Sequence, residues 1–588
     1  MKTEWDLSEL EGNFDKTREN STKFHDLFKK KWEKDKSYLE DPKKLKEALD
    51  ELESISEEFS NGGNEYFYYQ LKGELNQNDS EVRRKASDIH NFSINESHKI
   101  LFFSVDLSKI SEKKRKEFLA SPSLKKYKPF LEDFFENSKY ILSEKEEKIL
   151  SLKQNASYGM WVDMLKSLLS KEKRTSLDEE GGKKEFIYPE LINLMRSQNK
   201  KIRISAKDAF EDILKKYEDV AEFEINAVLE EAKINDELRE FTRADESRIK
   251  GDLIDLDFIN SILDAVKSKF SISKEFYVLK AKLMKEKKIG YFERSAEIKK
   301  IEKNFGENES VKIVKKVFSN LDKDFLKIFE EMLDSGKIDF FPKMGKNGGA
   351  FCTHLKLNSP VYVLLNHTGK LRDVSVIAHE MGHAINATLM KKETPFYYES
   401  PKSTAEVAST FMEDFVYKEI FKELNEEKRF YLKVMKLEDD LSSILRQIAL
   451  YLFELELHET FRKEGYISKE KIGELFVKHM SEYMGDAVEM QNAHLWWIYL
   501  EHIRMYFYVY SYASGLLISK AMQKKLREDN SFIGKIKVFL STGTSKKPRE
   551  IFKEMGIEIN KEFFLDGLDE LEKELEEIKT LGKKLGKL

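Results

Sequence analysis

Apolar positions recur at three- and four-residue steps through most of the chain, with charged residues filling the gaps. That is the period of a helix with one buried face. Between Pro42 and Phe59, Leu45, Leu49, Leu52 and Ile55 follow it, and Asp41 supplies a cap ahead of the proline. Ser143 to Asn155 reads the same way through Ile149, Leu150 and Leu152. Thr175 to Lys184 holds Gly181, Gly182 and a charge cluster, and reads as a loop at a candidate lobe boundary. Helices resume at Tyr188. Ile202 to Tyr217 and Ser310 to Leu333 are long and charged on one side, with Gly306 and Gly336 as stops. Leu568 to Lys579 is a last amphipathic helix.

The pattern changes once. From Asp339 to His367 the chain reads DFFPKMGKNGGAFCTHLKLNSPVYVLLNH. Gly345, Gly348 and Gly349 cluster there, and Pro360 opens the apolar run Val361 to Leu365. Two short strands are expected, roughly over 349–357 and 360–366. After Gly369 the helical period returns, with Asp373 as its cap.

Composition agrees. Only 26 glycines and 9 prolines occur in 588 residues, which favours helices over sheets. The length suits two to four domains or one large two-lobed body, and 40% hydrophobic content fills a core. We divide the chain into an N-terminal helical lobe, 1–185, and a catalytic region, 186–588. Charged residues make up 36%, yet the net charge is −5, so no strong basic excess argues for nucleic acid. A lone cysteine, Cys352, excludes an internal disulfide and suits a reducing compartment. The opening MKTEWDLSEL has no apolar leader core, and no run approaches the ~18 apolar residues of a membrane span. The expectation is a cytoplasmic protein with no membrane partner. No motif encodes an oligomeric state.

The chemistry gathers in three places. Val374 to Leu389 reads VSVIAHEMGHAINATL. On a helix, His379 and His383 project from one face and suit one metal ion, with Glu380 beside them as a general base for water. A catalytic zinc takes a third protein ligand. Downstream, PKSTAEVASTFMEDF sets Glu406 among small residues, where a buried carboxylate needs a partner such as a metal. Glu413, two turns on, could orient a histidine from behind. The alternative for both is a surface carboxylate. The third place is HLWWIYLEHIRMYFYVYSYASG, which holds His494, His502 and tyrosines 499, 506, 508, 510 and 512. Such aromatics are commonly core packing, but buried hydroxyls need partners, and a tetrahedral oxyanion is one. At least one of His502, Tyr508 and Tyr510 is expected to serve it. Spacing does not decide which tyrosine. Near Gly349, Ala350 and Phe351 an extended substrate could pair with an edge strand; an ordinary hairpin turn is the other reading. Cys352 lacks a base beside it and reads as a small apolar side chain.

These segments resemble the thimet oligopeptidase superfamily of zinc peptidases, and within it oligoendopeptidase F. TEWDLSEL, GKNGGAF, VYVLLNHTGKLRDVSVIAHEMGHAINATL, STAEVASTFMED, FYVYSYASG and STGTSKKP fall in that family's order, nearly end to end. The resemblance implies one zinc ion on His379, His383 and Glu406, with Glu380 as base. It places His502 before the tyrosine-rich helix and Tyr508 and Tyr510 in the FYVY string. HIRMYF departs from the family's usual aromatics, at Arg504 and Met505. The implied fold is mainly α, a two-lobed helical body around a deep channel with a small β-sheet beside the zinc helix. The implied activity is endopeptidase cleavage of short oligopeptides, with folded proteins poor substrates. An exopeptidase on the same scaffold, or a silent peptide-binding protein, is the alternative.

Overall fold

Helix-forming composition becomes helix almost everywhere. A computed structural model describes residues 1–299 and 303–588. Among these, helices dominate from Phe14–Trp32 to Lys561–Lys584, and three small sheets complete the set. The mainly α architecture expected from the sequence is borne out.

Pro42–Phe59 is helical over the expected span, and the Asp41 carboxylate accepts from the Lys43 backbone N–H. Glu144–Gln154 starts from a capping box between Ser143 and Glu146. Two expectations are corrected. The segment 175–184 is not a loop but the heart of a hairpin, β1 (Lys173–Leu177) against β2 (Lys183–Ile187). Its charges and glycines form only the turn. There Asp178 accepts from the Glu180 and Gly182 N–H groups, and Gly181 takes φ +84°. The segment 310–333 is two helices, Glu307–Leu321 and Lys323–Ser335. The break is Asp322, whose side chain caps the second helix at Asp324 N–H.

A two-stranded parallel sheet pairs β3 (Ile289–Gly290) with β7 (Val488–Glu489). The third sheet has the order β4-β6-β5, from Ile338–Asp339, Tyr362–Leu364 and Phe351–Thr353. β5 runs antiparallel to β6 with Cys352 opposite Val363, and β4 runs parallel to it. Both expected strands exist, but each is three residues long. The glycine-rich loop before β5 is pinned by a lysine. Buried Lys346 donates to Asp339, Phe341 O and Leu365 O at 2.6–2.7 Å.

The largest apolar core runs from Leu165 to Ile578. Residues from Phe28 to Phe135 build a separate core. A third cluster packs Trp5, Leu7, Leu10, Phe67 and Leu71 against Tyr362 and Leu364. Trp5 also donates its indole N–H to Val363 O at 2.8 Å, so the first residues brace the β6 strand from outside. Among the described residues no helix is long and apolar enough to cross a membrane.

Candidate active site

Three helices meet at the site: the motif helix Leu371–Met390, the glutamate helix Lys402–Glu423 and the tyrosine helix Tyr510–Glu528. The motif helix begins two residues before Asp373. Asp373 still acts as a cap, from inside the first turn, accepting from the Thr368 and Lys370 N–H groups. Glycines let the helices touch. A Cβ on Gly382 would stand 2.6 Å from Ala408 O and Ser409 Cα, and one on Gly515 2.6 Å from Glu406 Cβ. Backbone contact at those two points sets Glu406 opposite the histidines.

His379, His383 and Glu406 present ligand atoms all within 4.8 Å of one another. The Nε2 atoms lie 3.4 and 3.5 Å from Glu406 Oε2. Donors on a tetrahedral ion at ~2.1 Å stand about 3.4 Å apart, so this set fits zinc. Ser409 donates to Glu406 Oε2 at 2.9 Å and orients it. His379 Nδ1 lies 3.2 Å from Glu413 Oε2, as a partner that orients the ring from behind. Burial opposes a charge on Glu406, but hydrogen bonds from the two imidazoles outweigh it and hold the carboxyl well below its usual range. Burial likewise opposes an imidazolium at His379, yet Glu406 and Glu413 keep its proton affinity well above normal. Both effects arise from a donor set that converges on one point.

Glu380 is 6% exposed. Burial raises its pKa, and the two histidines and a backbone hydrogen bond from Cys352 partly offset this. The glutamate thus faces β5. That strand is hydrogen-bonded to β6 on one side only, so its other edge has no strand partner among the described residues. Gly349 is exposed ahead of it, while Ala350 and Phe351 are half-buried. Asn366 donates to Gly349 O at 2.7 Å and fixes the approach. Burial pushes the Cys352 thiol well up, consistent with an inert side chain.

His502 and two tyrosines form a cluster near Glu406. His502 Nε2 lies 3.2 Å from the Tyr512 hydroxyl, and its ring stacks with Tyr508 at 6.5 Å. Tyr508 and Tyr512 meet edge to face at 5.4 Å. Burial raises both phenols, and the Glu406 charge adds to it, so both stay protonated donors near the Glu406 carboxylate. Burial and the Arg446 charge lower His502 and favour its neutral ring. Tyr510 is not brought here. It is fully buried and its hydroxyl donates to Asp252 at 2.6 Å. His494 is exposed, apart from the cluster.

The departure at HIRMYF has a structural reason. Arg504 is buried in an ion pair with Glu224 at 2.7 Å. Tyr506 and Phe507 then adopt left-handed φ of +48° and +59°, costly for such side chains. Arg248 holds the Met505 and Tyr506 carbonyls, and Glu454 accepts from the Phe507 N–H at 2.7 Å. This turn aims His502 and Tyr508 at one place. Sequence reasoning missed Tyr512, although it lies four residues after Tyr508. It also missed His354, which burial and the nearby His383 lower to about 4 and which packs against Tyr398; no sequence signal marks it.

Helical architecture joined to a metal-ready donor set of this kind is that of a metallopeptidase. Family models agree: peptidase family M3 matches residues 193–569 and oligopeptidase F residues 106–170. The chain belongs to peptidase family M3, and the activity that goes with membership is that of a metalloendopeptidase acting on peptides. It is 26% identical to an oligoendopeptidase F homolog of Borreliella burgdorferi, over 92% of this chain and 90% of that one. It is 22% identical to oligopeptidase PepF of Bacillus subtilis, over 91% and 82%. In fold it is similar to a peptidase from Chlamydophila abortus, TM-score 0.81 at 22% identity, covering 98% of both chains. It also resembles oligoendopeptidase-F from Enterococcus faecium, TM-score 0.73 at 15% identity, over 97% of this chain and 100% of that one. The resemblance read from the sequence is thereby borne out.

Proposed function

We propose that this protein is a zinc-dependent endopeptidase that hydrolyses internal bonds of short oligopeptides, with His379, His383 and Glu406 as metal ligands and Glu380 as general base. The observation that carries the reading is the convergence of three ligand atoms within 4.8 Å, with buried Glu380 alongside. A zinc ion held there would polarise a carbonyl and lower the pKa of water towards ~7.

The chain's own groups supply the rest. Glu380 takes the proton of the attacking water and returns it to the leaving nitrogen. His502, Tyr508 and Tyr512 offer N–H and O–H donors to the developing oxyanion. The free edge of β5 at Phe351, with Gly349 and Ala350 leading into it, aligns an extended substrate by backbone hydrogen bonds. Glu413 keeps His379 in the orientation that presents Nε2. A lobe division near residue 185 belongs to the same proposal. The separate core of residues from Phe28 to Phe135 supports it, whereas Leu165 and Leu169 pack with the main core. A cytoplasmic setting and a preference for short, unfolded peptides complete the reading.

The test is mass spectrometry of a short-peptide mixture incubated with zinc-loaded protein, with and without a chelator. Internal fragments that vanish on chelation and return with Zn²⁺ are expected. Release of only single residues or dipeptides would turn the assignment to an exopeptidase. No cleavage at all, with zinc bound, would overturn it.

A further inference from the structure

The turn ahead of the tyrosine helix is held, group by group, by side chains from distant segments. The Tyr158 hydroxyl donates to Arg504 O at 2.5 Å. Arg248 donates to Met505 O at 2.7 Å and to Tyr506 O at 2.8 Å. The Phe507 N–H donates to Glu454 Oε1 at 2.7 Å. Backbone groups at residues 504–507 are thus pinned in succession. Arg248 also lies 3.6 Å from Asp252, which accepts from the Tyr510 hydroxyl at 2.6 Å. One guanidinium therefore ties the turn to the start of the tyrosine helix. Left-handed backbone at Tyr506 and Phe507 is strained, and such strain persists only where the surroundings over-determine it.

Glu454 is the pin that folding explains least. It is 0% exposed, on the helix Gln447–Glu464. Its Oε2 is buried without a hydrogen-bond partner. The basic group against it is His458, whose Nε2 stands 4.0 Å from Oε1 and is itself buried without a partner. The His458 ring packs on Phe507 at 4.9 Å. A buried acid so poorly satisfied costs stability. What it does hold is the amide directly before Tyr508. Tyr508 meets Tyr512 at 5.4 Å, and Tyr512 reaches His502 at 3.2 Å. We propose that Glu454 and Arg248 are positioning residues for the hydrolysis, fixing the left-handed turn that sets Tyr508, Tyr512 and His502 as oxyanion donors. A displaced donor loses its hold on a developing charge while substrate binding changes little, so the role falls on kcat. Burial raises Glu454 to about 8, so near neutral pH it is an uncharged acid. Its working atom is then an acceptor oxygen, which an amide also supplies. The proposal rests on the peptidase reading above and deepens it.

Two substitutions separate the acceptor from the bulk: Glu454→Gln keeps an oxygen for the Phe507 N–H, and Glu454→Met does not. kcat and KM are measured for the zinc-loaded wild type and both variants on one defined peptide, with zinc content and circular dichroism matched. Binding of the same peptide is measured to Glu380→Gln with and without Glu454→Met, so that ground-state affinity is read without turnover. Glu454→Met should lose about 10- to 100-fold in kcat, with KM within about 3-fold of wild type. Glu454→Gln should stay within about 3-fold of wild type in both. Peptide affinity in the Glu380→Gln background should not change. Wild-type kcat in Glu454→Met, a loss carried by KM, or a Glu454→Gln as impaired as Glu454→Met overturns the proposal. Should Glu454→Met fail to fold, Arg248→Met takes its place. It frees the Met505 and Tyr506 carbonyls and should show the same loss in kcat alone; unchanged kcat there overturns the proposal equally. A wild type that binds zinc and cleaves nothing fails the peptidase reading itself, and the proposal falls with it.

Discussion

Tyr510 and Tyr512 are two residues apart, and on a helix that separation points them to nearly opposite sides. Tyr512 reaches His502 at 3.2 Å, while Tyr510 reaches Asp252 at 2.6 Å. Tyr512→Phe should therefore lower kcat by about 10²-fold with little change in stability. Tyr510→Phe should instead cost about 1–3 kcal/mol by leaving the buried Asp252 carboxylate short of a donor. Steady-state kinetics and denaturant unfolding of the pair check this, and the reverse assignment would refute it. His379, Glu380 and His383 were legible because their spacing is that of one helix face. Glu406 was legible from its small, apolar flanks. Tyr512 was not, because the left-handed turn at Tyr506 and Phe507 sets where the tyrosine helix begins, and no local pattern announces it.

Between elements, the site depends on how closely two helices approach. Gly382 lies against Ala408 O and Ser409 Cα, backbone that has little room to yield. Gly382→Ala should destabilise by about 1–3 kcal/mol and loosen Glu406 from the histidines. Gly534→Ala, whose Cβ would meet nothing within 4 Å, is the control and should be neutral or mildly stabilising. A Gly382→Ala protein as stable as wild type would show that the helices can part. The turn at Tyr506 and Phe507 makes a second prediction. Burial of Glu454, which accepts from the Phe507 N–H, raises its pKa from 4.5 to about 8. The fold therefore favours the protonated acid. That stability is fully present below pH 4.5 and is lost as pH rises to about 8. Glu454→Gln should flatten this dependence and unfold at higher denaturant than wild type above pH 8. The sheet was legible in kind but not in length, because its strands are cut to three residues by the pinned glycine loop and by Pro360. The 175–184 hairpin was missed because its turn chemistry masked two polar strands.

At the scale of the molecule, composition settled the helical class, but long-range seams had no local trace. Trp5 and Val363 are joined across 358 positions. The three candidate ligands sit on helices already packed into the main core. Metal removal should therefore abolish cleavage yet leave helical circular dichroism unchanged. The thermal midpoint should fall by the equivalent of about 3–4 kcal/mol at zinc 100- to 1,000-fold above its Kd. Loss of the helical signal on chelation would mean that the metal folds the site.

The central claim is that Glu380 moves the proton in a metal-assisted hydrolysis. Its most direct test compares kcat for zinc-loaded wild type and Glu380→Gln on one defined peptide, with zinc content and circular dichroism matched. The account predicts one bound zinc, an unchanged fold and a loss of about 10²- to 10⁴-fold in kcat. Wild-type turnover in the variant would contradict it.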